Sequence, residues 1–209
     1  MQSSFSSEPR RVPCRERGER RVAGLIEAAE SVIAEAGYEA ATMSAIAERA
    51  GASIGSLYQF FPNKAAVTQA LRTEYSKHFD ALCAELAESA AALNLEELVG
   101  RLIDMTVGFV DSHPAFLALL DAPRSTRTPR AVRNLILDRF ESIFLAQRPE
   151  LGKPGATQLA VVTMQIVKAL NQLYTELPVD KRQPYVEEFK LVLYSYLSRR
   201  LAPRGRGCA

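Results

Sequence analysis

The sequence predicts an all-α protein, and three observations support this fold class. Apolar side chains recur at three- and four-residue steps through most of the chain, which is the pattern of amphipathic helices. Sustained alternation of apolar and polar residues is nearly absent, and no Asn-Gly or Asp-Gly pair joins two apolar runs. Hydrophobic residues make up 47% and charged residues 24% of the 209 residues, which is typical of a globular protein with a sizeable core.

Helix starts and stops can be placed along the chain from capping residues and periodicity. The first helix is predicted over residues 20–36, with Gly37 as its C-terminal stop. Asn94, Thr128 and Asp180 are candidate caps near later helix starts. Outside the segment treated next, helices are predicted at residues 64–91, 95–112, 114–122, 129–147, 156–176 and 184–201.

Residues 42–64 read TMSAIAERAGASIGSLYQFFPNK and predict two short helices joined by a tight turn. Thr42 can cap the first helix and Ser53 the second, because a hydroxyl oxygen accepts a hydrogen bond from an unpaired amide of the first turn. Gly51 permits the sharp turn, and the small side chain of Ala47 lets the two helices cross closely. This arrangement is a helix-turn-helix, in which the second helix enters the major groove of DNA.

The second short helix has an inward and an outward side. Leu57 and Phe61 can face the core, and Pro62 ends the helix. The positions left available to solvent or a partner are Gly55, Ser56, Tyr58 and Gln59.

The same segment, preceded by a helix that ends AEAGYEAAT, resembles the N-terminal DNA-binding domain of TetR-type transcriptional regulators. The resemblance covers roughly residues 20–70 and is carried by AGAS, GSLY and FPNK in register. It implies a three-helix helix-turn-helix domain followed by a C-terminal helical ligand-binding and dimerisation domain. The expected parts are a basic, disordered arm at 1–19, the DNA-binding domain at 20–66, the effector-binding and dimerisation domain at 67–202 and a flexible tail at 203–209.

The resemblance also implies two sets of DNA contacts. Phosphates are expected to meet the helix start and polar groups of Thr42, Ser53, Tyr58 and Lys64, which position the protein without reading sequence. Base edges are expected at Ile54, Gly55, Ser56 and Gln59. Among these, Gln59 can pair with adenine, Ser56 with several bases, and Ile54 can touch a thymine methyl group.

Two residues depart from the family pattern. Ile54 is apolar where the family is often polar, and Phe60 is apolar where a histidine or tyrosine commonly meets phosphate. Phe60 is therefore interpreted as a packing residue rather than a DNA contact, because an aromatic at helical spacing usually belongs to a core.

A helix-turn-helix protein that binds duplex DNA in this way presents two recognition helices about 34 Å apart, so we expect a homodimer on an inverted-repeat operator. Residues 156–201 carry apolar stripes on two helices, and the resemblance implies that these helices form a four-helix dimer interface. The alternative is that both stripes complete a monomer core. The stripes consist of Leu159, Val162, Ile166, Ala169, Leu170 and Leu173, and of Tyr185, Phe189, Val192, Tyr196 and Leu197.

The resemblance also places a cavity for a small, largely hydrophobic effector among the middle helices. Large apolar residues could line it, and a few polar groups could orient the ligand, although the same residues could equally be core. The candidate ligand-binding residues are Phe79, Met105, Thr106, Phe109, His113, Phe116, Leu120, Phe140, Phe144, Met164 and Asn171.

Charge and cysteine usage limit the remaining possibilities. The net charge is +2, and six arginines crowd the N-terminal segment, which is either solvated or in contact with DNA phosphates: Arg10, Arg11, Arg15, Arg17, Arg20 and Arg21. Cys14, Cys83 and Cys208 are widely spaced, so we expect free thiols in a reducing cytoplasm and neither a metal site nor a cofactor. The sequence contains no apolar run long enough to span a membrane, so no membrane partner is expected.

Two other classes of function compete with the DNA-binding regulator. Residues 51–55 read GASIG, formally a hydrolase nucleophile motif around Ser53, but the preceding residues have helical rather than strand periodicity. We therefore expect that the protein is not an enzyme. The remaining alternative is a helical protein-interaction module whose helix-turn-helix no longer binds DNA specifically.

Overall fold

The computed structural model describes residues 14–121 and 128–201, and every element in these ranges is helical. Short 3-10 turns precede the last two helices, at Pro149–Leu151 and Val179–Lys181. Residues 1–13 of the predicted arm and the predicted tail at 203–209 lie outside the described residues. The helices are α1 (Cys14–Ala40), α2 (Met43–Arg49), α3 (Ile54–Phe60), α4 (Lys64–Ala90), α5 (Leu95–Ser112), α6 (Phe116–Asp121), α7 (Thr128–Gln147), α8 (Gly152–Glu176) and α9 (Arg182–Leu201).

The first helix differs from its prediction at both ends. α1 begins at Cys14, within the segment expected to be a disordered arm, because its Arg and Glu residues are good helix formers. Gly37 breaks the helical path with φ +78°, as its glycine stop predicts, and one further turn follows up to Ala40.

The later boundaries agree more closely with the sequence pattern. Asn94 caps α5 in a full capping box, in which its side chain bonds the amide of Glu97 and the Glu97 carboxylate bonds the amide of Asn94. Thr128 is the first residue of α7 rather than its cap, and Asp180 lies in the 3-10 turn before α9. α8 begins at Gly152, ahead of the predicted start at 156.

The chain divides into two compact units, one up to residue 70 and one from residue 71, so the division lies inside α4. In the first unit, α2 packs against α1 and α3. Its buried core includes Leu25, Ala29, Ile33, Ile46, Ala47, Leu57, Phe61 and Val67. Burial of each large aliphatic side chain stabilises the fold by about 1.5–3 kcal/mol.

In the second unit, α8 packs against α5, α7 and α9, and α5 also packs against α9. Ring and ion-pair contacts connect α4 to this group: Asp80 of α4 forms a two-bond ion pair with Arg139 of α7. The largest fully buried side chains are Leu98, Leu102, Ile103, Phe109, Phe140, Ile143 and Phe144. In the parts of the chain that the structure describes, each helix is too short or too polar to cross a membrane.

Candidate nucleic-acid interface

The turn between α2 and α3 is built from local signals that the sequence shows. The Thr42 hydroxyl oxygen accepts a bond of 3.1 Å from the amide of Ala45, and the Ser53 hydroxyl oxygen accepts one of 3.1 Å from the amide of Ser56. Gly51 has φ +58°, which a residue with a side chain adopts only at a cost. Both predicted caps are confirmed.

The inward side of α3 is also as predicted, since Leu57 and Phe61 are buried. On the outward side, Ile54 is 41% and Tyr58 51% exposed, and they lie one turn apart on the same face. Gly55 and Gln59 are exposed as well. The structure therefore leaves these four predicted DNA-contacting residues uncovered.

The interpretation of Phe60 as a packing residue is wrong. Its side chain is 40% exposed, because Phe60 lies about 100° around the helix axis from buried Phe61 and the core covers the side that carries Leu57 and Phe61. Phe60 is thus an exposed aromatic beside the outward side of α3.

Arg21, for which no role was predicted beyond its place among the N-terminal arginines, contacts the predicted recognition helix. Its guanidinium donates a hydrogen bond of 3.2 Å to the Ser56 hydroxyl oxygen. Arg17, Arg20 and Arg21 are all exposed near the start of α1. The clustering of arginines was the available signal, but the contact joins positions far apart in the chain.

The Lys64 side chain, predicted to contact phosphate, makes several contacts within the protein. Its ammonium donates bonds of 2.8 Å to the Tyr38 carbonyl and 3.0 Å to the Glu39 carbonyl, at the end of α1. The ammonium also lies 4.6 Å from the centre of the Tyr38 ring. These two bonds use two of the three N–H donors of the ammonium.

An ion pair joins α2 to α1. Arg49 donates two bonds, of 2.7 and 2.6 Å, to the two carboxylate oxygens of Glu35. The hydrogen bond from Arg49 lowers the pKa of the Glu35 carboxyl, and the same bond raises the pKa of Arg49. This pair orients α2, the helix that would cross the DNA backbone.

The predicted effector residues lie in the second unit, and several of them are in contact with one another. Phe109 lies at the centre of an aromatic cluster, with its ring 4.6 Å from His113, 5.0 Å from Phe116 and 5.1 Å from Phe79. Phe140 extends the cluster through Phe79, at 6.5 Å between ring centres.

The remaining candidates are distributed around this core. Thr106, Phe144 and Asn171 are buried, Met105 and Met164 are half-buried, and the Leu120 side chain lies outside the described residues. The Thr106 hydroxyl donates to the Ile103 carbonyl of its own helix at 2.8 Å, so its proton is already used.

Two histidines that are distant in sequence are neighbours in the structure. His78 Nδ1 and His113 Nε2 are 2.7 Å apart beside the aromatic cluster, so one ring donates and the other accepts. His78 was not among the predicted site residues. No group of three or more potential metal ligands occurs within residues 14–121 and 128–201.

Two buried oxygens on α8 have no hydrogen-bond partner among the described residues: Thr163 Oγ1 and Asn171 Oδ1. Each unsatisfied group costs about 1–3 kcal/mol, which makes such atoms uncommon in a core. Asn171 was predicted as a polar ligand contact, whereas Thr163 was missed. The position of Thr163 beside the apolar stripe of α8 was the only sequence feature that could have indicated it.

Comparisons with known proteins agree with this architecture. The family model described as "Bacterial regulatory proteins, tetR family" matches residues 25–71, and the one described as "Tetracyclin repressor-like, C-terminal domain" matches residues 94–197. The HTH-type transcriptional repressor KstR of Mycolicibacterium smegmatis is 36% identical over 81 residues, which are 37% of this chain and 39% of KstR. The match therefore spans well under half of that relative.

Two solved structures show the same fold. A TetR-family transcriptional regulator from Streptomyces coelicolor has a TM-score of 0.62 and 21% identity, over 86% of this chain and 98% of its own. FadR from Bacillus subtilis in complex with stearoyl-CoA has a TM-score of 0.62 and 17% identity, over 84% of this chain and 96% of its own. The chain belongs to the TetR family of bacterial regulatory proteins, which are DNA-binding regulators rather than enzymes.

Proposed function

We propose that this protein is a dimeric transcriptional repressor that binds an inverted-repeat operator and is released by a small, largely hydrophobic ligand. The observation that carries the proposal is α3, which is capped by Ser53, anchored by buried Leu57 and exposed along its opposite side. A repressor of chromosomal operators acts in the cytoplasm, which is the location that this proposal implies.

The DNA contacts follow from the exposed chemistry of α2 and α3. Gln59 can bond the N6 and N7 atoms of adenine, and Ile54 can contact a thymine methyl group. The hydroxyl protons of Thr42 and Ser53 can reach phosphates, together with the amide groups at the start of each short helix. These contacts assign sequence reading to α3 and positioning to the helix starts.

The outward sides of α8 and α9 support a dimer. On α9, the buried residues Val186, Leu193 and Leu197 form one face, while Tyr185 and Val192 are 44% and 51% exposed. The exposed pair lies about a quarter-turn from the buried face, together with half-buried Phe189 and Tyr196. Leu197, predicted in the same stripe, belongs to the buried face.

α8 shows the same two-sided pattern. Its buried face contains Leu159, Thr163 and Leu170. Its outward face carries Val162, Ile166, Ala169 and Leu173, which are half-buried or exposed. A second copy of this chain, packing α8 and α9 against the same two helices, would cover both apolar faces and hold two recognition helices at a fixed spacing.

The aromatic cluster around Phe109 and the two unpartnered oxygens on α8 support an effector site in the second unit. Aromatic rings suit an apolar ligand, and Thr163 Oγ1 and Asn171 Oδ1 could accept hydrogen bonds from it. FadR from Bacillus subtilis, a structure of the same fold, was solved with stearoyl-CoA, whose acyl chain is such an apolar group. An effector that binds the second unit better in a conformer unfit for DNA would lower operator affinity by its ratio of affinities for the two conformers.

The test is selection of bound sequences from a random duplex pool with the purified protein, followed by binding of the selected site at several salt concentrations. The proposal predicts one enriched inverted repeat with half-site centres about 34 Å apart. Acyl compounds are then screened for release of that operator. Failure to enrich any sequence, with only weak salt-sensitive binding, would favour a helical interaction module instead.

A further inference from the structure

The contact between Arg21 and Ser56 joins the start of α1 to the first turns of α3. The Arg21 Nη2 atom donates to the Ser56 hydroxyl oxygen at 3.2 Å, and the Ser56 amide is used by the Ser53 cap. Ser56 is half-buried and Arg21 is exposed. The contact therefore lies at the edge of the recognition helix, where solvent or DNA can reach it.

This contact determines the hydrogen-bonding character of the Ser56 hydroxyl. A serine hydroxyl has one proton to donate and two lone pairs to accept with, so an isolated serine can pair with donors and acceptors alike. The Arg21 guanidinium, which only donates, uses one of the two lone pairs, and its positive charge disfavours the approach of a second donor. Among the described residues, no acceptor takes the Ser56 proton, so the proton is left for an external acceptor.

We propose that Arg21 is a specificity-determining positioning residue that makes Ser56 a hydrogen-bond donor toward the bases. This inference rests on the proposed function, since it needs an operator. In the major groove, acceptors are offered by guanine, adenine and thymine, whereas cytosine offers only a donor. Ser56 therefore favours those three bases over cytosine on the strand it contacts.

The charge of Arg21 has a second consequence that can be measured separately. A guanidinium has five N–H donors, and the bond to Ser56 uses one of them. A positive charge beside the recognition helix attracts phosphates and adds to the salt dependence of binding to every sequence. The orientation of Ser56 affects the base preference at one operator position, whereas the charge of Arg21 affects the affinity for every DNA sequence equally.

The experiment uses the full chain and the operator selected by the wild type. Ser56→Ala first identifies the position whose base preference depends on Ser56. Arg21→Met removes the donor while keeping an extended side chain, and Arg21→Lys keeps the charge without the planar fork. Arg20→Met is the matched control, because it removes the same charge from the preceding exposed residue. Each protein is titrated against four duplexes that differ only at the Ser56 position.

We expect Arg21→Met to relax discrimination against cytosine by about 5-fold, equivalent to one ordinary hydrogen bond, and Arg20→Met to leave it unchanged. The double variant Arg21→Met and Ser56→Ala should discriminate against cytosine to the same extent as Ser56→Ala alone, because Arg21 acts through Ser56. Arg21→Lys should retain the salt dependence of the wild type.

Three results would overturn the inference. The first is an equal loss on all four duplexes with unchanged base preference in Arg21→Met, and the second is additive effects of Arg21→Met and Ser56→Ala. The third is an operator at which Ser56→Ala alters no base preference, which leaves the proposed function standing. If the wild type selects no operator at all, both proposals fail together.

Discussion

The ammonium of Lys64 lies 2.8 Å from the carbonyl oxygen of Tyr38 and 4.6 Å from the centre of its ring. The carbonyls of Tyr38 and Glu39 belong to the last turn of α1, beyond the break at Gly37, where a helix leaves its carbonyl groups without partners. Lys64 satisfies two of them, and its positive charge suits the negative end of the helix dipole. The lysine of the FPNK segment thus stabilises the first unit in addition to its proposed role at DNA.

Lys64→Ala should therefore have two effects. Loss of two charged hydrogen bonds is expected to lower the free energy of unfolding by about 1–3 kcal/mol, measured by denaturant titration. Loss of the charge should weaken binding across DNA sequences and reduce the salt slope by about one. Lys77→Ala, which removes an exposed lysine paired only to Glu74 of its own helix, is the control and should change stability by less than about 0.5 kcal/mol. Unchanged stability in Lys64→Ala would contradict a structural role.

Gln59→Ala tests sequence reading by α3. Gln59 is exposed on the outward side, so its removal should leave the fold intact and cost about 1–3 kcal/mol of binding on the selected operator alone. The measurement is a competition titration of operator against random duplex. Gln172→Ala, at an exposed glutamine of α8, should leave both affinities unchanged. Equal losses on operator and random DNA would show that Gln59 does not read bases.

Val192→Glu tests the proposed dimer face on α9. A buried, unpaired carboxylate at the centre of an apolar interface is strongly unfavourable, so sedimentation should show monomers and operator affinity should fall. Leu191→Glu is the matched control, because Leu191 is 58% exposed but lies about 100° around the helix from Val192. Dimers that persist in Val192→Glu, or monomers produced by Leu191→Glu alone, would place the interface elsewhere.

Stability toward acid should depend on Glu35. Its pKa is lowered in the folded state by the hydrogen bond from Arg49, so the pair stabilises the protein above the unfolded pKa of the carboxyl. This contribution is lost as the pH falls through the lower folded pKa. Glu35→Gln should consequently flatten the decline of melting temperature between neutral and acidic pH, while Glu27→Gln on the exposed side of α1 should not. Parallel curves for wild type and Glu35→Gln would indicate that the pair contributes nothing measurable.

The sequence was sufficient wherever the physical cause lies within a few residues. The caps at Thr42, Ser53 and Asn94 act on amides three positions along, and Gly51 meets a local backbone requirement. The inward positions of Leu57 and Phe61 follow from helical periodicity alone. Because motifs of this kind are local, the helix-turn-helix and the family can be predicted from the order of the residues alone.

Predictions based on side-chain type without a known neighbour were less successful. Phe60 is apolar but exposed, because the core covers the side of α3 that carries Leu57 and Phe61 and Phe60 lies about 100° around the axis from Phe61. The effector residues were chosen for their size and apolar character. Some of them belong to the Phe109 cluster and others lie away from it, because periodicity does not specify which helices become neighbours.

The tertiary structure alone decided the contacts between distant parts of the chain. It brings Arg21 to Ser56, Lys64 to Tyr38 and His78 to His113, and within residues 14–121 and 128–201 it gives Thr163 Oγ1 and Asn171 Oδ1 of α8 no hydrogen-bond partner. The sequence by itself determined most of the helices, the caps at Thr42, Ser53 and Asn94 and the helix-turn-helix motif, because these depend on local hydrogen bonds and on helical period. Which of their polar groups are satisfied within the protein and which remain for DNA or a ligand depends on how the helices pack, and no local pattern contains that information.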